Sequence, residues 1–102
     1  MNTRYVLLYD SADDVLEKAP AHYPAHSARL DEFHGRGALL LVGPFGDPQG
    51  QGSMAIFDSR EAAEEFVDGD PFVLNGVVRS WEIREWHEAY GAGQAATAAT
   101  AT

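Results

Sequence analysis

At 102 residues the chain has room for one domain, and its 45% hydrophobic and 23% charged content is that of a globular protein with a packed core. Sixteen acidic against seven basic residues leave a formal charge of −9, with Lys18 the one lysine and six arginines scattered among acids, which argues against a nucleic-acid partner. There is no cysteine, so disulfides, thiolate metal sites and cysteine nucleophiles are excluded.

Met1 leads directly into a short strand-like run, without a basic region and long apolar stretch, so the expectation is a soluble cytoplasmic protein with no membrane partner. Tyr5-Val6-Leu7-Leu8-Tyr9 is rich in β-formers and reads as a first strand buried on both faces or nearly so, ended by the turn residues Asp10 and Ser11. Ser11 to Pro20 reads as a loop containing a helical turn. From Pro24 the period changes: His26, Leu30 and Phe33 fall at i, i+4 and i+7, which predicts an amphipathic helix opening at Pro24 and ending near Gly35 or Gly37.

Ala38 to Val42 is a second apolar run, stopped by Gly43-Pro44, and Phe45 to Gly52 is a glycine- and proline-rich connection suited to a mobile lid or pocket rim. Ser53 to Phe57 is the third strand. Asp58 followed by Glu61 has the form of a capping box for a helix over Ser59 to Val67, with Ala62, Ala63, Phe66 and Val67 as its apolar stripe and Gly69 at its end. Asp70 to Gly76 makes a turn before a fourth strand from Val77 to about Trp86. Residues 91–102 contain only Gly, Ala, Gln and Thr and cannot offset their ordering entropy, so they are expected to form a disordered tail after a domain over residues 1–90.

This order, β-α-β-β-α-β, is the ferredoxin-like α+β fold with an antiparallel four-stranded sheet and both helices on one face. The strands are apolar at nearly every position, so the other face needs cover, and a second copy of the chain packed sheet to sheet is the expected partner. Trp81 and Trp86 fit core or interface positions.

Among His22, His26, His34 and His87, His26 alone shares the helical stripe that must face the sheet. A buried imidazole needs a hydrogen-bond partner, and Asp70, between the second helix and the last strand, is the natural one. A carboxylate accepting from one ring nitrogen fixes the tautomer and leaves the other nitrogen for general acid/base work. The same residues also read as a core histidine and an ordinary Asp-Pro turn. His22 and His26 have the spacing of a helical metal pair, but a helix opening at Pro24 leaves His22 outside it, so no metal or cofactor is expected. The Gly43 to Gly52 loop lacks the lysine and hydroxyl residue of a phosphate-binding loop.

Tyr-Val-Leu-Leu-Tyr, Pro24-Ala25-His26 with Leu30, Gly37 before the apolar strand and Gly43-Pro44, Ser59-Arg-Glu-Ala-Ala, and Asp70-Pro71-Phe72 together resemble the YciI-like (YCII-related) family over roughly Arg4 to Trp86. The resemblance implies a dimeric α+β barrel, similar to muconolactone isomerase, with His26 and Asp70 as the active-site pair. Tyr23 stands where some members carry arginine, so no anion-binding contribution is expected there. By the same resemblance, with a dehydrochlorinase of chlorinated hydroxyquinols and lactone isomerases among the relatives, the expected activity is that of a small cofactor-independent lyase or isomerase. Its ligand would be a small cyclic or aromatic metabolite, in a pocket shaped by Pro44, Phe45 and Phe72. The alternative is a noncatalytic ligand-binding or accessory module in which the pair is a structural hydrogen bond.

Overall fold

The computed structural model describes residues 2–91, and the expected tail falls outside them apart from Gly91. The elements run β1 (Asn2–Ser11), α1 (Val15–Gly35), β2 (Leu39–Pro44), α2 (Pro48–Gln51), β3 (Ser53–Phe57), α3 (Arg60–Gly69), α4 (Pro71–Leu74) and β4 (Val78–Glu88). The strands form one antiparallel sheet in the order β2-β3-β1-β4, the ferredoxin-like arrangement expected from the element order.

Period-two alternation decides which side chains meet the helices. Tyr5, Leu7 and Tyr9 of β1 lie opposite Phe57, Ala55 and Ser53 of β3, and these residues belong to or adjoin the core under α1 and α3. At its centre the rings of Phe33, Phe57 and Phe66, all buried, meet at 5.2–6.4 Å between centroids. The intervening residues Val6, Leu8, Met54 and Ile56 point to the face that carries no helix. β1 is therefore two-faced, with one side sealed and the other half-open, and is not buried on both.

Each edge strand carries one bulge. Between Leu39 and Leu41 the register against β3 slips by one residue, so Leu40 is extra. Without that slip Leu41 would follow Leu39 inward; with it Leu41 is 67% exposed, and Val42 and Pro44 turn to the helical side opposite Ala55 and Ser53. On the other edge the slip at Asp10/Ser11 makes Arg79 the extra residue, placing Val78 opposite Ser11. Arg79 is thereby released to the surface, where it pairs with Asp10 and Asp13 at 3.0 Å.

Helix α1 differs from the sequence expectation. It starts at Val15, nine residues before Pro24, and holds both Pro20 and Pro24 in its interior. Each proline removes one amide donor and crowds the preceding turn. The two lie four apart, on one exposed side, so the carbonyls they leave without a helical donor are on the solvent side of the helix. Past the prolines the side that faces the cleft and core runs through Val15, Ala19, Tyr23, His26, Leu30 and Phe33. The connection after β2 also holds a single helical turn, α2, opened by Pro48 at its first position.

Helix α3 is capped one residue later than the Asp58 expectation. Ser59 is in extended conformation and its Oγ accepts from the Ala62 amide at 3.1 Å, while the Asp58 amide is engaged by the Ala38 carbonyl. The turn after Asp70 is the short helix α4, and β4 reaches Glu88, so His87 lies within the strand. No helix among the described residues is long and apolar enough to cross a membrane.

Candidate functional site

Asp70 sits where two helices meet, and its neighbour dictates its shape. The residue before a proline is pushed out of the helical region, and Asp70 accordingly has φ −69° and ψ 120°, which ends α3 and forms the N-cap of α4. From there its carboxylate, with no solvent exposure, turns inward. Oδ1 accepts from the Phe72 amide at 3.1 Å and from His26 Nδ1 at 2.7 Å. Oδ2 accepts from the Tyr9 hydroxyl at 2.5 Å. Three donors from α4, α1 and β1 thus converge on one buried charge, the condition under which a buried carboxylate is tolerated.

His26 projects from the middle of α1 with a side chain only 11% exposed. The Phe72 ring lies flat on the imidazole, 3.8 Å between centroids and 3° from parallel, while Phe66 meets its edge at 6.3 Å. Because the carboxylate accepts and cannot donate, Nδ1 carries the ring proton and Nε2 is the other nitrogen. Among the described residues Nε2 has no protein partner, yet no fully enclosed side-chain nitrogen or oxygen is unpartnered. Nε2 therefore opens to the space beside it.

That space is a cleft of about 430 Å³ between α1 and the β2 end of the sheet. Its walls are mostly apolar: Val15, Ala19 and Leu30 from α1, Val42 and Pro44 turned in by the β2 bulge, and Val78 turned in by the β4 bulge. Tyr9, Ser11, Tyr23, Ser53 and His26 supply polar groups, and no lysine or arginine lines it. Pro44 and Phe72 of the sequence expectation stand on this wall; Phe45 does not, being 37% exposed just past the strand end. The Phe45 amide donates to the Gly52 carbonyl at 2.9 Å, which holds the loop's base closed beside the cleft.

The longer α1 also places His22 one turn before His26 on the same helix, which removes the argument that Pro24 separates them. No cluster of three or more His, Asp or Glu able to hold a metal occurs among the described residues.

Against known families, the YCII-related domain matches residues 3–87. The chain belongs to the YCII-related family. Protein YciI of Escherichia coli O6:H1 and that of Shigella flexneri are each 34% identical to it over 96 residues, covering 84% of this chain and 98% of theirs. Among solved structures, the 5-chloro-2-hydroxyhydroquinone dehydrochlorinase of Burkholderia phenoliruptrix, in complex with 2,5-dihydroxybenzoquinone, superposes with a TM-score of 0.67 at 22% identity, covering 82% of this chain and 93% of that one. A hypothetical protein of Arabidopsis thaliana gives 0.50 at 15% identity, covering 89% and 91%. These are likenesses of fold.

Within this YCII-related domain the residue that sequence reasoning passed over is Tyr9, taken there as one more apolar strand position. A signal was present. Tyr9 alternates with Leu7 on the strand face that meets the helices, and a tyrosine buried there needs a partner for its hydroxyl. Burial pushes the Tyr9 phenol well above its ordinary value, and the charge and hydrogen bond of Asp70 push it further, against a smaller opposing effect of Arg29. A group held protonated in the fold stabilises it below the unfolded phenol's value of about 10 and loses that contribution as pH rises beyond it. Spectrophotometric titration above pH 10 should show one phenol that ionises only as the chain unfolds, and Tyr9→Phe should remove that phase; its persistence in the variant would assign it elsewhere.

Proposed function

We propose that the protein is a small cofactor-independent enzyme of the lyase or isomerase type, in which His26 moves a proton as general acid/base and Asp70 orients it. The observation that carries this reading is the position of Nε2, the one ring nitrogen not committed to Asp70, at the wall of the cleft. Nε2 takes a proton from a bound substrate, and the imidazolium so formed stays paired with the carboxylate. In a lyase the electron pair left behind forms a double bond as a group leaves the adjacent carbon; in an isomerase the same proton returns at another carbon. The flat apolar walls and the absence of a lining cation suit a neutral cyclic or aromatic metabolite. The dehydrochlorinase of like fold acts on a small hydroxylated ring, which supports the same substrate class.

A second reading draws on a different observation. The Asp70 carboxylate is fully satisfied and the imidazole is stacked on Phe72. Such an arrangement also serves a noncatalytic ligand-binding module that uses the pair as a structural bond. His26→Ala separates the two. Assayed against a panel of hydroxylated benzenes and small lactones, the variant should lose turnover at least 100-fold while remaining folded. Unchanged turnover, with only a fall in melting temperature matching about 1–3 kcal/mol, would favour the binding module.

The assembly we propose is a homodimer through the helix-free sheet face. Val6, Leu8, Met54, Ile56 and Leu41 share that face, which makes it apolar at its centre. A second copy laid sheet to sheet would cover it. Sedimentation at micromolar concentration should give twice the chain mass and Leu8→Glu the monomer; a monomeric wild type would refute the dimer.

A further inference from the structure

We propose that Tyr9 is the positioning residue of the site: its hydroxyl, carried by a strand paired on both sides, fixes the plane of the Asp70 carboxylate and through it the orientation and tautomer of His26. This rests on the reading of His26 as general acid/base, but its geometry is independent of any substrate. Both the His26 ring and the Phe72 amide bond Oδ1, at 2.7 and 3.1 Å. With donors at Oδ1 alone, a half-turn about the broad, roughly two-fold terminal torsion would exchange the two oxygens, and the second oxygen would be buried without a donor. Tyr9 is what engages Oδ2, at 2.5 Å.

The backbone of Tyr9 is unusually well placed to act as an anchor. Tyr9 pairs with Ser53 on one side and Trp81 on the other, in the strand with a neighbour at each edge. Gly52 packs against its carbonyl so closely that a Cβ there would lie 1.9 Å from the oxygen, and Gly52 adopts φ 78° and ψ −147°, a conformation that only glycine takes readily. The phenol remains a donor because burial and the adjacent carboxylate hold its proton. Tyr9 thus links a central strand of the sheet, paired on both sides, to a histidine carried on a helix. It also lines the cleft, so the anchor lies beside the space that a substrate would fill.

The test compares the full chain with Tyr9→Phe, which removes one oxygen and keeps the ring. Imidazole 15N spectra report tautomer and Nδ1–H exchange directly, without substrate. In the wild type the neutral His26 ring should be the Nδ1-protonated tautomer with a slowly exchanging proton. In Tyr9→Phe the two tautomers should mix and the Nδ1–H signal should broaden. On any substrate found with the panel above, kcat should fall roughly 10- to 100-fold with KM little changed. Identical imidazole spectra in the two proteins, or an Nε2-protonated ring in the wild type, would overturn the proposal. An Nε2-protonated wild-type ring overturns the proposal even if the variant folds poorly. A catalytically silent His26→Ala with a Tyr9-dependent tautomer would refute general acid/base catalysis and leave the positioning role standing.

Discussion

A carboxylate with no access to water is the constraint around which this domain is arranged. Removing its hydration costs several kcal/mol, while a hydrogen bond to a charged group contributes about 1.5–3 kcal/mol, so the three donors that meet Asp70 are of the size needed to offset its burial. Each comes from a different part of the chain. His26 requires α1 to lie across the sheet, Tyr9 requires β1 in the phase that turns odd-numbered side chains toward the helices, and Phe72 requires the helix restart that Pro71 enforces. Arg29 secures the approach: one turn beyond His26, it donates to the carbonyls of Glu65 and Phe66 at the end of α3. Gly69 leaves room for that guanidinium, since a Cβ there would stand 2.6–2.9 Å from it. The helix carrying the histidine is thus tied to the helix end that presents the aspartate.

The cleft is the product of local irregularities rather than of the regular sheet. A β2 strand without its bulge would turn Val42 and Pro44 away, and a β4 strand without its own would put the Arg79 guanidinium where Val78 now stands. Bulges are a recognised way of re-aiming side chains beside functional sites. Here both act to keep the walls apolar and uncharged. The early start of α1 completes the enclosure, because Val15 and Ala19 precede the expected helix and line the same space. An uncharged wall strengthens the interaction between an imidazolium and its carboxylate, since little else nearby competes for the charge.

Element order and the stripe of His26, Leu30 and Phe33 were legible from residue type and spacing, because each follows from a short-range periodicity that the fold then obeys. Spacing alone left Asp70 readable as an ordinary Asp-Pro turn, and its pairing with His26 rested on the family resemblance. What was not legible depends on water and on neighbours distant in sequence. Pro24 resembles a helix start, and only the solvent exposure of that side of α1 shows why a helix can run through it. Asp58 and Ser59 are both good caps by residue type; in the fold Ser59 takes the role, while the Asp58 amide bonds the Ala38 carbonyl. The bulges depend on cross-strand register and leave no residue signature, so neither the outward turn of Leu41 nor the inward turn of Val42 could be read from the sequence. Tyr9 was hidden by its own strand propensity. Its hydroxyl matters only because Asp70, 61 residues away, lies within reach.

The central claim is that Nε2 of His26 is the working atom of the cleft. The most direct measurement is a structure of the chain with a small phenol or hydroxylated ring bound. The account predicts a ligand oxygen within hydrogen-bond distance of Nε2, roughly 2.7–3.2 Å, with the ring against the apolar wall. A ligand bound elsewhere, or a cleft in which Nε2 is sealed by protein, would contradict it.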